Sequence, residues 1–270
     1  MRSPTPSVSL TLAAGALAVL GLGCAREQAP PDQAAPQEQV VAGECRSMHG
    51  ADICAWDRMA GDQLVAFGIT VPMQVVDSAP MDAPMTWPPV AGATIPLSPT
   101  AKAAGFDNVT IYWENHGHPP APYLVPHFDF HVNTVPNADL AAIDCANTAK
   151  PAQLPAAYEM ADVEVPGMGT LVGLCVPQMG MHAMASADLA AGTPFEKTMI
   201  VGYYAGRPIF VEPMITQGAL LGRRSFPLAV PSIPDGQPNV RYPSQFMAEY
   251  DSTANAYRFV FSQLAASSMP

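Results

Sequence analysis

Strand-length apolar runs, broken by turn residues about every ten positions from residue 92 onward, constrain the fold of this chain most strongly. No helical apolar period is sustained for long, and thirty prolines and twenty glycines interrupt the sequence. A long helical bundle or coiled coil is thereby excluded. The pattern predicts an all-β class with minor α content: one antiparallel β-sandwich or barrel-like domain with short helices in its connecting loops. Strands are expected at Gln63 to Val76 (one or two), Asn108 to Glu114, Val125 to Val132, Thr170 to Val176, Thr198 to Tyr204 and Pro208 to Met214. A terminal hairpin, QFMAEYD and AYRFVFSQ, turns through STAN. Short helices are expected at Pro99 to Ala104, Ala138 to Asn147 and Ala185 to Ala191.

The amino terminus reads as an address. Leu10 to Leu22 is an apolar run behind Arg2, too short to span a bilayer, so residues 1–23 are expected to be a signal peptide. Gly23-Cys24 ends that run like a bacterial lipoprotein box, with Gly21 where Leu is usual, and Cys24 is the candidate lipidated residue. Residues 24–42, rich in Pro, Gln and Ala, read as a disordered tether. Residues 43–91 follow as a disulfide-closed segment with the first strands, and 92–270 as the main β domain. The remaining cysteines, Cys45, Cys54, Cys145 and Cys175, are even in number and lack CxxC spacing. Pairing the nearer neighbours gives Cys45 with Cys54 and Cys145 with Cys175. An exported location follows, periplasm or outer membrane, with lipid as the sole membrane contact.

Charge and motifs remove several function classes. Twelve basic residues against twenty-three acidic ones give a net charge of −11, a surface that repels a phosphate backbone, so no nucleic-acid partner is expected. GxSxG, HExxH, P-loop and GxGxxG patterns are missing from the sequence. Glu159, Asp162, Glu164, Glu196 and Glu212 supply carboxylates, but no spacing selects a catalytic pair.

The chemistry concentrates in histidines. Four of six lie within sixteen residues, HGHPPAPYLVPHFDFH, from His116 to His131. On a strand His127, Asp129 and His131 share one face, and Phe128 and Phe130 take the other. His116 and His118 repeat the period-two spacing, and Gly117 with two prolines suggests a turn that folds back over that strand. PQMGMHAM adds His182 among methionines, and FVEPMIT adds Glu212. Imidazole with carboxylate suits a divalent transition metal, zinc first, with copper or iron as alternatives. Soft methionine neighbours would suit Cu(I), yet methionine more often fills cores. Asp129 is a candidate ligand or a group that orients an imidazole. Histidines hydrogen-bonded to backbone carbonyls, with no metal, are the competing structural reading. His49 stands apart and reads as a surface residue.

The segments IYWENHGHPPAPYLVPHFDFH, PQMGMH and TMIVGYYAGRPIFVEPMIT, with the closing hairpin, resemble a family of exported bacterial proteins of unknown function, over about Gly92 to Leu264. One thermophile member is known as a homodecamer regulated by an extracytoplasmic sigma factor. The resemblance implies a β-rich domain and homo-oligomeric assembly, and it transfers no catalytic residue. Ala183 stands where an aromatic often follows MGxH. Cupins are echoed by His116, His118 and His182, but prolines replace the glutamate that follows their HxH. The sequence thus points to a metal-binding domain with an envelope or stress-related role. The alternatives are a metal-dependent enzyme, a hydrolase or cupin-like oxidoreductase or isomerase, and a structural homo-oligomer without metal. The small-molecule ligand is unspecified.

Overall fold

Alternation of apolar and polar residues resolves into two stacked antiparallel sheets. The computed structural model describes Met1 and residues 37–190 and 194–266. The expected signal peptide, Cys24, most of the tether and the end of the helix at Ala191 lie outside the described residues.

The first sheet contains β1 (Glu38–Met48), β2 (Ala51–Ala60) and β3 (Gln63–Pro72). The second contains β4 (Ala93–Pro96), β5 (Asn108–Glu114), β6 (His127–Asn133) and β7 (Tyr158–Glu159). A separate hairpin pairs β8 (Val163–Val165) with β9 (Gly169–Leu171). β10 (Met181–Ala185), β11 (Lys197–Tyr204) and β12 (Arg207–Thr216) complete the second sheet, in the order β4-β5-β6-β12-β11-β10-β7. β13 (Phe226–Ala229), β14 (Arg241–Asp251) and β15 (Ala256–Ala266) return to the first, in the order β1-β2-β3-β15-β14-β13. β3 pairs with β15, Phe67 opposite Phe261, which joins β1 to β3 to the C-terminal strands in the first sheet.

One row of aromatic side chains holds the sheets together. Phe128 and Phe130 on β6 point into the interface, where Phe130 meets Phe259 edge-on at 4.7 Å, and within the first sheet Phe67 stacks on Phe261 at 5.4 Å. Each such ring removed from water contributes roughly 1.5–3 kcal/mol. Phe130→Ala is expected to cost about 3–5 kcal/mol, because transfer and cavity terms add. The face of β6 opposite these rings carries the histidines, so the same alternation that builds the core presents the site.

Several local expectations shift. β1 starts at Glu38, so residues 38–42 belong to a strand and not to the tether. Cys45 faces Cys54 across β1 and β2 and is bonded to it, and Cys145 is bonded to Cys175. The strand expected at Thr170–Val176 ends at Leu171 and gives way to a 3₁₀ turn at Val172–Leu174, because Gly173 adopts φ +61°. Gln63–Val76 is one strand followed by helix α1 (Met73–Asp77). α2 (Pro99–Ala103) fits its expectation, with Ser98 Oγ accepting the Ala101 N–H at its start. The helix expected to Asn147 shortens to α3 (Asn137–Ala141), and α4 (Ser186–Ala190) precedes α5 (Gln217–Leu221). In the terminal turn Asp251 Oδ1 accepts N–H groups from Thr253 and Ala254.

Candidate metal centre

Strand register assembles the site from distant pieces of sequence. His127, Asp129 and His131 stand on the outer face of β6, and all three are buried. Neighbouring β5 sets Glu114 opposite His127 and Tyr112 opposite Asp129. On the other side β12 brings Glu212, and two strands further β10 brings His182, paired with Gly202 of β11. Gly202 lies beneath the Phe210 ring, where any Cβ would stand 2.0 Å from a ring carbon. Phe210 can therefore lie flat enough to stack on His131, at 4.2 Å, and to meet His182 edge-on at 5.4 Å.

Gly117 performs the turn that the sequence suggested. At φ +66° it folds His118 back over β6, and a Cβ there would strike the Tyr123 carbonyl at 2.1 Å. His118 thereby comes within 3.6 Å of Asp129 Oδ2, and His127 Nε2 lies 3.2 Å from Oδ1. His116 is turned outward: it is exposed, with its Nε2 beside the Asn115 amide, and stands outside the site. His49 is half-buried and donates from Nδ1 to the Val75 carbonyl.

Two groups of three result, either of which could hold a metal ion: His118 with His127 and Asp129, and His131 with His182 and Glu212. In each group the ligand atoms lie within 4.8 Å of one another. Backbone carbonyls fix the ring orientation at three of the four histidines. His118 Nδ1 donates to Pro119 O at 2.8 Å, His127 Nδ1 to Val125 O at 2.6 Å, and His182 Nδ1 to Leu174 O at 3.0 Å. A carbonyl only accepts, so each of these rings carries a proton on Nδ1, and on His182, which burial keeps neutral, the lone pair is left on Nε2. This is how a metal-bound imidazole is held.

The electrostatics separate the two groups. Burial pushes the Asp129 carboxyl up, but the imidazoles of His127 and His118 outweigh it and hold it well below the usual carboxylate range. Burial likewise opposes charge on His118, yet its hydrogen bond and attraction to Asp129 raise it to about 9. In the second group burial lowers His131 to about 4, and burial with the neighbouring His131 lowers His182 to about 3. Burial, reinforced by Asp129, drives Glu212 well above an ordinary glutamate. Glu212 Oε1 is 3.5 Å from His131 Nε2, and Oε2 has no hydrogen-bond partner. An unpaired oxygen of this kind is costly in a protein interior.

Glu114 escaped the sequence reading. It is buried, lines the same space, and is raised to about 7 by burial and by the charge of Asp129. The period of two in NVTIYWE carries the signal, since Tyr112 and Glu114 share the histidine-bearing side. Of the methionines near His182, Met181 and Met184 pack into hydrophobic clusters, and Met179 lines the space above the site. That space is a cavity of about 370 Å³ reached by His118, Asp129, His131, His182 and Glu114.

The two disulfides accord with folding in an oxidising compartment outside the cytoplasm. Among the described residues no helix is long and apolar enough to cross a membrane. Comparison with protein-family models, with curated proteins and with solved structures finds no match.

Proposed function

We propose that this chain is an exported protein, tethered to the envelope through lipid on Cys24, that holds one divalent transition metal on His131, His182 and Glu212. Zinc is the first expectation, because two imidazoles and a carboxylate are a zinc donor set. The same set with open positions also serves non-haem Fe(II). One observation carries the reading: a wholly buried carboxylate with an unpaired oxygen stands within 4.8 Å of two imidazoles that burial keeps neutral. A bound cation would supply the missing charge and accept the lone pairs.

Three protein ligands beside a cavity leave coordination positions for water or a small molecule. That favours a metal that exchanges ligands or does chemistry over a closed storage or structural site. The metal-free reading is favoured at the first group, where Asp129 has the raised His118 imidazole as a counter-charge.

Elemental analysis of protein purified without a His-tag tests the reading. Wild type is expected to carry close to one equivalent of a transition metal, and His131→Ala and Glu212→Ala far less. Negligible metal in all three, after incubation with zinc, contradicts it. Cys24→Ser is expected to release the chain from the membrane fraction.

A further inference from the structure

A metal that keeps open positions raises the question of what reaches it. Resting on the metal reading above, we propose that the ligand admitted there is a compact molecule with an apolar body and an oxygen-donor head carrying at most one negative charge. Apart from Thr86, the polar side chains lining the cavity are those of the His/carboxylate face, and Leu171, Leu174, Val176 and Met179 line the rest with apolar surface. The mouth is apolar as well. Met85, Trp87, Leu124 and Met168 stand around it with exposures of 69%, 39%, 55% and 47%, from three separate segments. Exposed apolar side chains gathered at one opening mark a recognition surface and not scattered surface residues.

The opening is built in advance. Trp113 Nε1 donates to Pro80 O, and the Asn115 amide donates to Met81 O and Ala83 O, pinning the loop that carries Met85 and Trp87. Asp162 accepts from the Gly173 N–H and pairs with Lys150, which fixes the foot of the β8–β9 hairpin. Preformed walls lower the ordering cost of binding.

Charge and size narrow the class. Among the described residues lining the cavity none is Lys or Arg, so no guanidinium or ammonium is present to take a phosphate or sulfate. A divalent ion on Glu212 leaves a single positive charge, Asp129 pairs with the His118 imidazole, and Glu114 adds a carboxylate that disfavours a polyanion. Sugars and peptides need many polar partners, which these walls do not offer. At about 370 Å³ the space lies near the small end of the roughly 300–1,000 Å³ typical of ligand pockets.

The mature full-length chain loaded with Co(II) provides the test, because its visible bands report the metal before any ligand is added. Benzohydroxamate is expected to perturb those bands at a concentration at least tenfold below acetohydroxamate, which has the same head without the ring. Inorganic phosphate is expected to leave the bands unchanged over the same range. In the Leu124→Ser/Met168→Ser variant, altered only at exposed positions of the mouth, the cobalt bands should persist and the gap between hydroxamates should fall below threefold. Equal midpoints for the two hydroxamates, or displacement by phosphate, would overturn the ligand proposal while leaving the metal intact. Absence of cobalt bands in the wild type would overturn the metal reading and the proposal together.

Discussion

The two His/carboxylate groups share one sheet face, with Asp129 and His131 only two residues apart on β6, yet they solve the problem of buried charge in opposite ways. Asp129 lies between His118 and His127, at 3.6 and 3.2 Å, and the raised His118 supplies its counter-charge, although Asp129 Oδ1 and His127 Nε2 make no hydrogen bond. Glu212 lies beside imidazoles that burial keeps neutral, and one of its oxygens has no partner. A group that compensates itself persists without a metal. A group that does not needs either a proton or a cation, and burial with Asp129 holding Glu212 far above its normal range expresses that need.

The largest expected difference is in metal affinity. Glu212→Ala or His131→Ala is expected to lower zinc affinity by more than about 100-fold, beyond what loss of a supporting residue costs, whereas His118→Ala should cost no more than about tenfold. Competition against a fluorescent chelator measures both. Equal losses would erase the distinction between the groups.

Next in size is an opposition of sign in the metal-free protein. Asp129→Asn removes the buried counter-charge of His118 and is expected to destabilise by about 1–3 kcal/mol in urea unfolding at neutral pH. Glu212→Gln removes a buried, unpaired carboxylate and is expected to be neutral or stabilising by up to about 2 kcal/mol. Destabilisation by both would show that Glu212 is paired after all.

A smaller effect comes from the disulfide next to Leu174, whose carbonyl holds the His182 ring. Replacing Cys145 and Cys175 by Ser is expected to weaken metal binding about tenfold through loss of that orientation. Replacing Cys45 and Cys54, in the β1–β2 hairpin away from the site, should leave affinity unchanged.

Proton titration is the mildest probe. Imidazole NMR of the metal-free protein should find His118 protonated up to about 9, while His131 and His182 stay neutral down to about 4 and 3. The stability contributions have opposite signs. Between pH 6.5 and about 4 the unfolded chain takes up protons that His131 and His182 refuse when folded, so their contribution to stability falls as pH falls. The contribution of His118 is complete below pH 6.5 and is lost as pH rises through about 9. Similar titration of all three would remove the contrast.

Much of this was legible from local periodicity. HFDFH announces a strand with a ligand face and an aromatic face, and both faces form as the alternation requires. Where the backbone leaves the extended region, alternation stops being informative. Gly117 at positive φ sends His118 inward and leaves His116 outside, although the HxH spacing treats them alike. Gly173 ends a run whose composition reads as a strand. The division into two groups was not legible, because His131, Glu212 and His182 meet only through the register of β6, β12, β11 and β10. The opening that Gly202 makes for Phe210 depends on the same register and leaves no local trace.

The central claim is that the second group, and not the first, holds the metal. Anomalous diffraction at the zinc edge, from crystals of untagged protein, locates the ion directly. A single strong peak about 2.0–2.1 Å from His131 Nε2, His182 Nε2 and a Glu212 oxygen is the predicted result. A peak bounded only by His118, His127 and Asp129, or no peak on this face of the sheet, would contradict it.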